Sequence, residues 1–102
     1  MKFDKMISEQ LAKNTVDSKK VDDSTSDAEM LRLAMQAELD AVSLYEQMAA
    51  TTSNEDFKKV FLDVANEEKV HLGEFEEMLK IADPTHDKYE DEGGEEAKEK
   101  TS

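Results

Sequence analysis

The chain has 102 residues, with 26 Asp and Glu against 13 Lys and Arg, for a net charge of −13. It has no Cys and no Trp, and 37% of its residues are hydrophobic. One domain is the most this length supports; the Cys count excludes a Cys-ligated zinc site, an iron–sulfur cluster and a disulfide framework, and the charge disfavours a nucleic-acid groove, which needs clustered positive surface.

No apolar run approaches the roughly 18 residues of a membrane span, and Met1 to Ser8 lack the apolar core of a secretory signal. The expectation is an acidic, soluble, cytoplasmic protein with a small core. Residues 1–25 read as a flexible N-terminal segment. Within it Phe3, Met6, Ile7 and Leu11 recur at helical spacing, enough for a short docking helix.

Residues 26–82 carry two helical signals. The first opens at Ser26-Asp27-Ala28-Glu29, an S-x-x-E capping box, and runs to about Ala50 without Gly or Pro. The polar break Thr51-Thr52-Ser53-Asn54 follows. The second helix spans about Glu55 to Ala82 and stops before Asp83-Pro84, as a proline boundary requires. So short a break predicts an antiparallel helical hairpin. Residues 83–102 hold eight acidic residues against three Lys, together with Pro84, Gly93 and Gly94. They read as an acidic disordered tail or linker, with His86 solvated in it.

The apolar stripes of the two helices hold the informative feature. Phe57, Phe61, Val64, Glu68, His71, Phe75, Met78 and Ala82 follow a 4-3 rhythm, the spacing of a bundle seam. Leu31, Met35, Glu38, Val42, Tyr45 and Ala49 form the seam of the first helix. Three of these positions are polar: Glu38, Glu68 and His71. A carboxylate on a core seam must lose its water, which is costly unless it is paired or binds a cation. In an antiparallel hairpin the middle of one helix faces the middle of the other, so the three meet at one level.

Glu68 and His71, at i and i+3, share one helix face. Taken alone, that pair is common in so acidic a chain; its coincidence with Glu38 on the facing seam gives it weight. Carboxylates with imidazole suit Fe, Mn or Zn. Ferritin-like di-metal bundles take a Glu from each of two helices and a Glu-x-x-His from each of the other two. This chain supplies one of each, which is half a site. A twofold dimer would complete it and cover the seams that a lone hairpin leaves open. Tyr45 reads as a core aromatic within reach of a ligand carboxylate.

The stretch from Leu31 to Leu79 resembles the encapsulated ferritin family, the two-helix ferritin-like proteins of encapsulin shells. The resemblance rests on Ala37-Glu38-Leu39-Asp40-Ala41-Val42-Ser43-Leu44-Tyr45 and on Glu67-Glu68-Lys69-Val70-His71. It implies an all-α hairpin that dimerises into a ferritin-like four-helix bundle. It further implies a ferroxidase, which oxidises Fe²⁺ to Fe³⁺ with O₂ at a di-iron centre across the dimer interface. Glu38, Glu68 and His71 would be the ligands, Tyr45 would stand beside the centre, and Asp40 would mark an iron entry site. Ala37 replaces an acidic residue usual in the family, and Leu44 replaces a common tryptophan. The resemblance also implies a ring of dimers such as a decamer, an encapsulin shell as partner, and a place inside that compartment for iron storage. In a fused subgroup the module precedes the shell protein, and residues 83–102 look like such a linker. Two other readings stand beside this one: a non-catalytic helical interaction module whose buried Glu and His set register, and a rubrerythrin-like peroxidase.

Overall fold

The structure, a computed structural model, describes residues 21–102. The expectations for Phe3 to Leu11 and for the rest of residues 1–20 lie outside the described residues. Among the described residues there are three helices and no strand: α1 (Asp27–Thr51), α2 (Glu55–Ala82) and α3 (His86–Thr101).

The caps lie where the sequence puts them. Ser26 is the N-cap of α1, and its hydroxyl accepts the backbone N–H of Glu29 at 3.1 Å. This satisfies one of the donors that a helix start leaves open. Replacing Ser26 with Ala should therefore cost about 1 kcal/mol, measurable as a lower midpoint in urea unfolding. Asn54 caps α2 through its side-chain oxygen, which accepts from the backbone N–H groups of Asp56 and Phe57 at 3.0 and 3.1 Å. The helix ends at Ala82, and Asp83 donates its N–H to the Leu79 carbonyl at 2.8 Å before Pro84 forbids another turn.

α1 and α2 form the expected antiparallel hairpin. Its packing centre is Ala41 and Tyr45 of α1 against Val64 and Ala65 of α2, with Met48 and Phe61 beside them. The small Ala41 and Ala65 let the helices approach closely, and Tyr45 fills the space next to them. At the open end, Leu31 and Leu79 are buried, and Arg32 reaches Asp83 at 2.6 Å. Lys69 bridges to Glu46 at 3.3 Å near mid-hairpin. No described helix is long and apolar enough to cross a membrane.

Two features differ from the sequence expectation. The 4-3 row of α2 is not buried along its length. Phe57, Met78 and Ala82 are exposed, while Val64 and Glu68 of the row are buried together with Ala65 and Leu79 beside it. The reason is geometric: a hairpin buries only the face that each helix turns to its own neighbour, and the rest of a wide apolar stripe stays outside. The second difference is in residues 83–102, where helix α3 replaces the expected disordered tail. Lys, Glu and Ala favour helix, Asp87 lies in its first turn, and Lys98 and Lys100 lie in its last, which suits the helix dipole. Gly93 and Gly94 each oppose it by up to about 1 kcal/mol. α3 has no buried residue, so it adds nothing to the core.

Candidate metal centre

The seams bring together the three polar residues that the spacing singled out. Glu38 projects from the middle of α1, and Glu68 and His71 project from the middle of α2. One ligand atom from each lies within 4.8 Å of the others. His71 Nδ1 stands 3.3 Å from Glu68 Oε2 and 3.8 Å from Glu38 Oε2. Two ligands about 2.1 Å from one ion are separated by roughly 3.0–3.4 Å at octahedral or tetrahedral angles. The spacing thus nearly fits a shared cation, and a small rotation of Glu38 closes the longer gap.

Burial is uneven across the trio. Glu68 is 2% exposed, and the Oε2 atom of Glu38 is sealed from solvent. The side chain of His71 is 47% exposed, so the site opens on that side. Partial burial pushes the His71 pKa down. The hydrogen bond to Glu68 and the charges of Glu68, Glu38 and Glu74 outweigh it and hold the pKa above the ordinary 6.5. The same Nδ1 that faces both carboxylates can carry a proton or hold a cation, but not both. One buried carboxylate, one partly buried carboxylate and an imidazole form a donor set suited to iron, manganese or zinc.

The other predicted residues separate by position. Tyr45 is 1% exposed and belongs to the packing centre. Asp40 is exposed on α1; it is two residues from Glu38, on another face of the helix, and it does not join the trio. Glu67, beside Glu68, is exposed.

A second cluster went unseen in the sequence. His86 Nε2 lies 2.8 Å from Glu76 Oε1 and 3.1 Å from Glu90 Oε2. Its signal was the i, i+4 spacing of His86 and Glu90, which acquires meaning only once residues 86–101 are helical.

Similar proteins place the chain in a family. The family model described as Rubrerythrin matches residues 29–102. The crystal structure of the encapsulated ferritin domain from Pyrococcus furiosus has a TM-score of 0.72 and 43% identity, over 82% of this chain and 91% of that one. The chain belongs to the encapsulated ferritin family. Among its curated relatives, the ferritin-like–encapsulin shell fusion protein of Pyrococcus furiosus is 52% identical over 73 residues, or 72% of this chain and 21% of that protein. An encapsulin nanocompartment cargo protein of Myxococcus xanthus, EncC, is 40% identical over 57 residues, or 56% of this chain and 44% of that protein. The chain thus spans about a fifth of the first relative and less than half of the second. Members of this family are ferritin-like, and the carboxylate–imidazole trio matches in type half the donor set of a ferritin-like di-metal bundle.

Proposed function

We propose that this protein is a ferroxidase, which takes Fe²⁺ as substrate at Glu38, Glu68 and His71 and oxidises it with O₂. The observation that carries the reading is the position of Glu68, a carboxylate buried against an apolar hairpin with an imidazole and a second carboxylate turned toward it. Solubility does not explain a buried charge, because water already reaches every outer face of α2. Cation binding explains it, since the charge then has a partner of opposite sign. Bound iron supplies the electrons, one from each Fe²⁺. Glu38, Glu68 and His71 would hold the Fe²⁺ substrate, and the hairpin core behind Glu68 would keep bulk water off one side.

The trio is half of the four-carboxylate, two-imidazole set of a di-iron bundle. The other half would come from a second copy. His71 lies in the same sevenfold row as Phe57, Val64 and Met78, of which Phe57 and Met78 are exposed and Val64 is buried. A surface that covers this apolar row also covers the open side of the trio. Ile81 is 78% exposed, and it lines an apolar hollow of about 560 Å³ with Met30, Leu31 and Met78. Apolar surface of this kind marks an interaction face. Iron binding and dimer formation would be coupled, because only the dimer presents every ligand.

The relatives named for encapsulin support a shell as partner, with the protein held inside that compartment and oxidised iron stored there. A ring of dimers such as a decamer, and an iron entry site at Asp40, complete this reading. Tyr45 would support a ligand carboxylate from the core. His71→Ala tests the function. Mixing the variant with Fe²⁺ in air should give ferric absorbance at least about 10-fold more slowly than the native chain, since loss even of a group behind a ligand costs that much. A native rate would refute the assignment and favour a helical module in which the trio sets register.

A further inference from the structure

α3 stays against α2 without a core to hold it. It buries none of its residues, and its tyrosine, Tyr89, is 62% exposed. The connecting residues are fixed by local bonds. Asp83 Oδ1 accepts from the Thr85 N–H and hydroxyl at 3.2 and 2.8 Å, and Asp83 Oδ2 accepts from Arg32 of α1 at 2.6 Å. Past that elbow, charged side chains join the two helices. His86 Nε2 lies 2.8 Å from Glu76 Oε1 on α2 and 3.1 Å from Glu90 Oε2, one turn further along α3. Lys80 of α2 reaches Asp87 of α3 at 3.7 Å. We propose that the elbow is a pH-sensitive latch: the imidazolium of His86 holds α3 on α2, and loss of its proton frees the helix to swing as an arm.

The charges around the elbow explain why one proton matters. Glu76 and Glu77 come from α2, Asp83 from the connection, and Asp87 and Glu90 from α3; Lys80 and Arg32 are the cations that face them. Protonated His86 puts a positive charge between Glu76 and Glu90, one carboxylate from each helix. Neutral His86 leaves those two carboxylates to repel each other. Surface ion pairs are individually weak, but no apolar contact backs them here, so a change of one charge can decide where α3 lies. The direction follows from linkage. The hydrogen bond to Glu76 and the charges of Glu76, Glu90 and Asp83 hold the His86 pKa above the ordinary 6.5, against a smaller lowering by desolvation. A released arm returns His86 to its ordinary value. Docking is therefore complete below about pH 6.5 and is lost as pH rises through the raised value. Lys80, held above its ordinary 10.5 by Asp87 and Glu77, stays charged throughout. Acid does not open the latch from the other side first, since the pKa of Glu90 is raised by its hydrogen bond with Glu76 and a proton there joins the two carboxylates.

The test is a distance between the helices in solution. The chain has no Cys, so Lys59→Cys on α2 and Lys98→Cys on α3, both exposed and outside the cluster, give two unique labelling points for fluorescence energy transfer. The full-length labelled chain is mixed with an excess of unlabelled chain, so that only distances within one chain are read, and a chelator keeps metal out. From about pH 6 to about pH 8.5 the ratio of docked to released arm should fall at least about 3-fold. His86→Gln, which cannot take up a proton, should show a released arm at both pH values. His86→Lys, which keeps a positive charge over that range, should stay docked at both. A native distance that does not move with pH would overturn the proposal. So would a native pH dependence in His86→Gln, which would assign the change to another group such as His71. Circular dichroism of each variant shows whether α3 remains helical; an arm that unfolds with pH rather than swings would overturn the latch as stated. No iron enters the measurement, so this proposal and the ferroxidase reading can fail separately.

Discussion

Glu68→Leu should yield a folded protein that no longer oxidises iron. The substitution removes a carboxylate held at 2% exposure and puts an apolar side chain of similar length in its place. Burial of a leucine contributes roughly 1.5–3 kcal/mol, and the cost of holding a desolvated charge disappears. Glu38 keeps His71 as a neighbour at 3.8 Å, and His71 is open enough for water to solvate it. Stability is therefore expected to stay within about 1 kcal/mol of the native value or to rise, because replacing buried ionic groups with apolar ones of like volume is often neutral or stabilising. Fe²⁺ oxidation, followed by ferric absorbance after mixing with air-saturated buffer, should fall by at least about 100-fold. Changes to groups behind a ligand already cost 10- to 100-fold, and Glu68 is assigned as a ligand itself. Glu67→Gln, one residue away and exposed, serves as the control and should leave the rate unchanged. A Glu68→Leu protein that oxidises iron at the native rate would end the ferroxidase assignment. Loss of both folding and activity would be uninformative alone, so the urea midpoint is read on the same sample.

Tyr45→Ala is expected to produce the largest loss of stability of any single truncation in the hairpin. The ring is 1% exposed and packed among Ala41, Val64 and Ala65. Two of those neighbours are alanines, with no side chain long enough to fill the gap, and Met48 and Phe61 at the edge could close only part of it. Truncation of a buried aromatic costs about 3–5 kcal/mol, a large share of the roughly 5–15 kcal/mol that holds a typical domain together. Equilibrium urea unfolding measures it; a loss below about 1 kcal/mol would show that the core relaxes around the missing ring. Tyr45→Phe separates packing from chemistry. It keeps the ring and removes only the hydroxyl, for which about 1 kcal/mol is expected. If Tyr45 serves only as packing, Tyr45→Phe oxidises iron at the native rate. A slower rate at unchanged stability would assign the hydroxyl to the metal centre.

The local grammar of the hairpin was legible because its signals act over a few residues. Ser26 and Asn54 supply side-chain oxygens to helix starts, and Pro84 ends α2 by its ring and missing N–H. The trio was legible for a related reason. Glu38, Glu68 and His71 interrupt apolar rows, and a helix converts spacing into facing. α3 departs from the sequence expectation because the helix preference of Lys, Glu and Ala outweighs the net charge and two glycines. The pairing of His86 is not legible in the sequence, since Glu76 and His86 are ten residues apart and meet only when the chain turns at Asp83 and Pro84.

The sequence by itself determined where two helices begin and end, that they pair as a hairpin, and which three polar side chains lie at its middle. Each of these follows from caps, breakers or helical periodicity, which are properties of neighbours along the chain. Only the tertiary structure decided which of two adjacent apolar stripes is buried. Ala65 and Leu79 lie inside while Phe57 and Met78 lie outside, because inter-helix packing selects one face of a stripe that is apolar over a wider arc. It also decided that Asp40 stands apart from the trio and that His86 joins two carboxylates at the elbow. Those outcomes depend on distances between residues far apart in the chain, and periodicity within one helix carries no information about them.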